Sequence, residues 1–564
     1  MNKNTLNLLF LSLMATATSL PKAETVTYLD QGATWTAKNR SDFYSMDQGS
    51  QLIPYAWAKA LLQEDGTLPF FRQSLVRYGY IPNPKSQPAG LPVGFHVNTK
   101  TGQVGVTCAA CHTREVTANG KSYRIDGGPA ITDFGAFLMD LDKSVTKLTT
   151  DKKRFDTFAS KVLGSNPTKS AKNNLQTQVK NWQQANQTLI SRALPTNLWG
   201  AGRLDAVSMI FNRLAGLDIG EASNNYLIPE NIYPANAPVR YPFIWNAPKQ
   251  DKTQWPGFAD NGDDFFGLLR NQGEVFGVFG KFHPVKETFL GVNFGINYSK
   301  QNSTDFTGLN KLESLVKTIG PPKWPFGTID TALASRGKEL FNVNCGTNCH
   351  EIKDGTPRGL LGNIKTWKTP VQDVGTDSHQ YDILLRTVKT GVLEGEEIPF
   401  RYKLSATDKP LQVLEQAVFG SIMESNWFLN IMSKGASIVN QLFADIGGAF
   451  TTPTVDPNTP SYPYETKVLQ GIWAAAPYLH NGSVPTLADL LKPAAERPAS
   501  FEVGNAYDPA KLGLAESQPQ FNHYKIITTD CDSRNSGNSR CGHEFGTKLS
   551  ADDKAALLEY LKSL

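Results

Sequence analysis

Cys108-Ala109-Ala110-Cys111-His112 places two thiols two residues apart and follows the second at once with a histidine. The pattern suits c-type haem: two thiols add to the two vinyl groups of one porphyrin, and the adjacent imidazole reaches the iron from the same side. A zinc or redox CxxC pair is the alternative, disfavoured by the immediate histidine. Cys345-Gly346-Thr347-Asn348-Cys349-His350 repeats the arrangement with three residues between the thiols. A loop one residue longer still spans two vinyls if it puckers, and Gly346 helps; a disulfide or a single-thioether haem is the alternative. The expected cofactors are two covalently bound haem c groups. Cys531 and Cys541 flank a polar loop with no histidine directly after them. In an exported protein they are expected to form a disulfide, which for so short a loop stabilises by about 2–3 kcal/mol in the chain-entropy picture and fixes the backbone beside His543.

Elements must position these groups. Ala334, Gly337, Leu340 and Phe341 recur at helical spacing and run straight into Cys345, as the first helix of a small cytochrome c domain does. Ser550 with Asp553 forms a capping box ahead of Ala556, Leu557, Leu558 and Leu561, the stripe of a last helix. Packed on the first helix, it brings His543 near the second haem. With His112 and His350 taken as proximal ligands, His543 is favoured as the distal ligand of the second haem. His480 is the rival, Met423 and Met432 are weaker options, and His96 reads as structural. No sixth ligand is nominated for the first haem. One open and one closed iron is the arrangement of a di-haem enzyme, because the open iron can bind O2 or peroxide.

The chain of 564 residues carries a net charge of +4. That is too close to neutral for a nucleic-acid binder, and the 10% aromatic content excludes a disordered chain. Residues 1–23 read as a signal peptide: Lys3, then an apolar run to Leu20, then a cleavage point at Ala23. The mature protein is expected in the periplasm or secreted, with no later membrane span. Residues 24–92 form a leader. Residues 93–320 form haem domain 1, with an aromatic, proline-rich loop region between Tyr226 and Pro284. Residues 321–564 form haem domain 2, opening on the stiff Pro321-Pro322-Lys323-Trp324-Pro325. Its apolar insertion, 410–450, reads as two helices packed on the body or as a lid for a greasy substrate. The expected fold class is mainly α: two cytochrome c-like haem domains with extensive loops and little β-structure.

Three stretches carry a resemblance. They are Val104 to His112 with Arg124-Ile125-Asp126-Gly127-Gly128, Gly471 to Leu487 with Pro477-Tyr478-Leu479-His480-Asn481-Gly482, and Gly542-His543-Glu544-Phe545-Gly546-Thr547. Together they resemble the di-haem c-type cytochromes of the cytochrome c peroxidase/MauG superfamily, in the rubber oxygenase (RoxA)-like branch. That branch also holds periplasmic fatty-acid dioxygenases resembling the oleate 10S-dioxygenase of pseudomonads, and Asp47-Gln48-Gly49-Ser50-Gln51-Leu52-Ile53-Pro54 looks closest to that subgroup. The resemblance implies His112 as proximal ligand of an O2-binding haem, His350 and His543 as the axial pair of the other, and Phe279 over the active haem. It implies O2 and an unsaturated apolar molecule as partners, oleate ahead of polyisoprene, with a periplasmic electron donor as a further partner. The alternatives are a peroxidase or MauG-like oxidase using hydrogen peroxide, and an electron-transfer cytochrome.

Overall fold

The structure, a computed structural model, describes residues 26–262, 264–289, 292–355, 366–398, 402–426, 453–519 and 524–564. The signal segment 1–23, His523 and all of 427–450, Met432 included, therefore lie outside the described residues.

The first cysteine motif runs into a β-hairpin. Thr113–Ala118 pairs antiparallel with Lys121–Asp126, from Thr113 opposite Asp126 to Ala118 opposite Lys121. Asn119 and Gly120 make the turn, both at positive φ (52° and 70°), which Asn-Gly tolerates best and which suits the strand twist. Val26–Tyr28 adds a third strand, parallel to Lys121–Asp126. The leader is thus built into the scaffold of the first motif. Asp126 is fully buried and accepts at its carboxylate from Trp35 Nε1 (2.7 Å), Arg40 Nε (2.6 Å) and Tyr44 OH (2.6 Å). Three donors, one of them charged, meet the cost of burying that carboxylate.

Around the second motif, helix Thr331–Phe341 starts on Asp330, whose side chain accepts from the amides of Ala332 and Leu333, both at 3.0 Å. The terminal helix Ala551–Ser563 starts on Ser550, which accepts from Asp553 N at 3.2 Å. The two helices cross at Gly337, where a Cβ would stand 1.9 Å from the Ala556 carbonyl oxygen. Phe341 packs on Tyr560 at 5.3 Å and Arg336 pairs with Asp553 at 2.5 Å.

The expected class, mainly α with two cytochrome c-like domains and little β-structure, is overturned. The described residues are 39% helix and 16% strand, and their strands form ten small sheets, two of three strands and eight of two. Short alternating runs between turn residues pair locally instead of joining helices. Two closed domains do not form either: one core joins Trp35, Phe43, Val116 and Ile125 to Trp473, Ala475, Leu557 and Leu561. Trp324, from the proline-rich stretch at 321–325, packs on Trp473 at 5.4 Å, and the Pro322 carbonyl accepts from Trp473 Nε1 at 3.1 Å. Helix Pro410–Met423, the described part of the apolar insertion, is core: Leu414 and Phe419 cluster with Phe265, Phe276 and Leu309. No helix among the described residues is long and apolar enough to cross a membrane.

Candidate haem-binding sites

The second motif opens on a cavity lined by Cys345, Cys349, His350 and His543, with Trp255, Phe341, Leu469, Tyr478, Leu490 and Leu557 among its apolar walls. Asn342–His350 forms a widened helical turn, closed by the amide of Glu351 donating to the Gly346 carbonyl five residues back at 2.9 Å. Widening accommodates the extra residue, and a four-residue separation leaves the two thiols adjacent on one side of the turn. His350 Nδ1 donates to the Lys467 carbonyl at 2.7 Å, which leaves Nε2 for a metal. The His350 and His543 rings face each other with centroids 6.2 Å apart. Two imidazoles on opposite sides of one first-row metal, with bonds of about 2.0 Å and about 1.1 Å more to each ring centre, stand about 6 Å apart. Burial holds both imidazoles neutral, lowering His350 and taking His543 down to about 3, and a neutral imidazole is the ligating form.

His543 is held by its backbone. Cys531 and Cys541 are joined in a disulfide. The His543 amide donates to Val374 O at 2.9 Å, and the residue stands at φ 51°. Arg497 is 2% exposed and donates to the carbonyls of Arg540 (2.6 Å), Gly542 (2.8 Å) and His543 (3.2 Å). His543 Nδ1 is buried without a partner. His480 lies in the wall of the same cavity, stacked on Tyr464 at 3.8 Å. It is His543, not His480, that meets His350 ring to ring.

At the first motif, Cys108–Ala110 makes one tight turn. Gly127 N donates to His112 O at 2.8 Å and Ala130 N to Cys111 O at 3.0 Å, so the Gly127-Gly128 corner clamps the motif. His112 Nδ1 donates to Pro242 O at 2.9 Å, again leaving Nε2, and burial lowers the ring to about 4. Its recorded ring neighbour is Tyr241 at 6.4 Å; among the described residues no second histidine packs on it. His96 lies instead 2.9 Å from Asp47, His283 stacks on Tyr226 at 3.7 Å, and His379 lies 3.3 Å from Asp382. Phe279, at φ 67°, shares a core with Ala110 and Cys111, and the Arg213 guanidinium lies over its ring at 4.8 Å.

The chemistry of the donor sets fits haem c. Burial pushes the thiols of Cys108 and Cys111 up to about 12 and that of Cys345 to about 11, and raises Cys349. Redox-active CxxC pairs show the opposite shift. Among the described residues no group of three or more His, Cys, Asp or Glu could hold a metal ion by itself. Each motif offers two thiols for the two vinyl groups of a porphyrin and one imidazole for its iron.

Three features escaped the sequence reading. Glu274 lines a small cavity with Val207, Phe211, Gln254, Phe258 and Arg270. It acts electrostatically on both Cys108 and Cys111, and burial raises its carboxyl. Gln254, at φ 65°, offers it an amide at 3.5 Å. Arg497 is the clamp described above. Arg114 and Arg240 are buried guanidiniums, each pushed down to about 10 by burial. The Asn-Gly turn was readable in advance; the partners of these side chains lie too far along the chain.

Residues 463–502 match the family described as RoxA-like, cytochrome c-like. This stretch supplies Tyr464, Leu469, Tyr478 and His480 to the second cavity. This segment is therefore RoxA-like and cytochrome c-like, which is consistent with a haem oxidoreductase. Over nearly its whole length the chain is similar to the uncharacterized protein y4iJ of Sinorhizobium fredii, 31% identical over 626 residues that cover 96% of this chain and 94% of that protein. The chain belongs to the same family. The uncharacterized protein y4iM of the same organism is 27% identical over 57% of this chain and 63% of its own length.

Proposed function

We propose that the chain is an exported di-haem c oxygenase that inserts O2 into an unsaturated apolar molecule, with a free fatty acid such as oleate ahead of polyisoprene. The observation that carries this reading is the asymmetry of the two sites: His543 faces His350, whereas no described histidine faces His112. Cys108, Cys111 and His112 would hold a haem c that supplies oxygen chemistry, and Cys345, Cys349, His350 and His543 would hold one suited to electron transfer.

The chain's own residues do the rest. The Pro242 carbonyl fixes the tautomer and rotation of His112. Val207, Phe211, Phe258, Leu269 and Leu414 give the small cavity around Glu274 a largely apolar wall, the kind of surface a hydrocarbon chain would pack on. Phe279 is assigned to the distal side. Holding a double bond beside the oxygen is the protein's main contribution. A hydroperoxide product keeps both oxygen atoms, so no external donor is consumed.

A second reading, peroxide reduction, is favoured by Glu274. A peroxidase needs an acid–base group next to the O–O bond it splits, and Glu274 offers a buried carboxyl within electrostatic reach of Cys108 and Cys111. Incubating the purified holoprotein with oleate and O2, without a donor, separates the two. Hydroperoxide supports oxygenation; rapid peroxide turnover without it supports the second reading. A resting spectrum with two six-coordinate irons would leave only electron transfer.

A further inference from the structure

We propose that Arg114 and Arg240 form a buried anion site that takes haem carboxylates where the two haem sites meet. The inference rests on the reading that the two cysteine pairs hold haem c.

Arg114 stands two residues beyond His112 and is 1% exposed. Its Nη1 donates to the carbonyls of Ala476 (2.6 Å) and Pro129 (3.3 Å), while its Nε and Nη2 are buried with no partner. Arg240 is 4% exposed and lines the cavity that holds Cys345, His350 and His543. Its Nε donates to Leu479 O at 3.1 Å and its Nη1 to Tyr241 O at 3.3 Å. Both arginines therefore grip the Ala476–His480 loop, one from the strand after the first motif and one from the wall of the second cavity.

Neither has a carboxylate. Among the other buried arginines, Arg124, Arg213 and Arg270 each have one, Glu115, Asp218 and Glu313, while Arg203 and Arg497 have none among the described residues and donate to backbone and amide carbonyls instead. Among the described residues no ion pair involves Arg114 or Arg240. The titratable groups acting on them are Tyr478 on both, Tyr507 on Arg114 and, with like sign, Arg114 on Arg240. Burial raises both phenols further, so they stay neutral. A buried guanidinium with two donors left over, as in Arg114, whose charge also acts on the buried Arg240, is unfavourable unless an anion completes it. A guanidinium fork matches a carboxylate, and each haem c brings two propionate carboxylates. They can come from either haem, since Arg114 belongs to the first motif's strand and Arg240 to the second cavity.

The test uses the holoprotein and the variants Arg114→Met, Arg240→Met, Arg114→Lys and Arg240→Lys. Haem per chain is measured first; a chain without haem overturns the haem reading and the site's ligand together. The midpoint potential of each haem is then followed at its own spectral signal. Losing a cation beside a propionate favours the oxidised iron, so each methionine variant is expected to lower the potential of the haem it serves, with lysine restoring most of the shift. A fall confined to one haem identifies the source of the carboxylate. Unchanged potentials in methionine variants with full haem content overturn the proposal. Should a methionine variant fail to load haem, the lysine variant is read by resonance Raman: a shifted propionate bending mode supports the site, and an unmoved mode overturns it.

Discussion

His350 and His543 face each other across an apolar cavity with ring centroids 6.2 Å apart, although 193 residues separate them in the sequence. The cytochrome-like pair of helices brings one, and a clamped loop brings the other. The spacing would suit two imidazoles holding one iron between them.

Removing one ligand opens that iron. His543→Ala is expected to abolish the low-spin signature of the second haem, seen in the absorption and EPR spectra, while His480→Ala leaves it in place. A low-spin signal that survives the first change and disappears with the second would transfer the ligand role to His480.

Arg497 holds the His543 loop by donating to three of its carbonyls. Arg497→Met leaves these buried acceptors unpaired, at about 1–3 kcal/mol for each group that finds no water. A loss of about 3 kcal/mol in denaturant unfolding is expected, with a weakened low-spin band at the second haem before global unfolding. An unchanged midpoint and band would show that the loop holds itself.

Asp218 is pushed up to about 7 by burial, against the opposing pull of Arg213. The folded state thus keeps a proton that the unfolded chain releases near 3.8. This contribution is fully present below pH 3.8 and is lost as pH rises through the folded value of about 7, at no more than about 1.4 kcal/mol per pH unit. Asp218→Asn should therefore stabilise relative to the parent at pH 8 more than at pH 5, read as the difference in Tm. An equal effect at both pH values would contradict the assignment.

Glu274 separates the two kinds of oxygen chemistry. Glu274→Gln should cut any peroxide turnover by about 10²–10⁴-fold and remove an acid limb from its pH profile, while oleate turnover falls far less. Equal losses in both activities would mean that Glu274 serves the site in some other way.

What was legible in the sequence follows from how local each cause is. Covalent attachment needs thiols and imidazole within a few residues, so Cys108 to His112 and Cys345 to His350 announced themselves. The capping at Ser550 and the Asn119-Gly120 turn are equally local, although the strands around that turn were not weighed and the β content was missed. Asp126 draws its donors from residues 35–44, and Arg114 finds its acceptor at Ala476. Such partners meet only after the chain has folded, so neither the built-in leader nor the core shared across residue 320 could be read from spacing. His543 lies between: its disulfide and the following helix are local, but its pairing with His350 is not.

The most direct measurement is a turnover of oleate by the holoprotein under a mixture of 16O2 and 18O2 with no electron donor, followed by mass spectrometry of the product. An oxygenase of this design yields a hydroperoxide whose two oxygen atoms come from the same O2 molecule, so the unmixed 16O–16O and 18O–18O species dominate. No oleate-dependent product, or a product carrying a single labelled atom with the other from water, would contradict it.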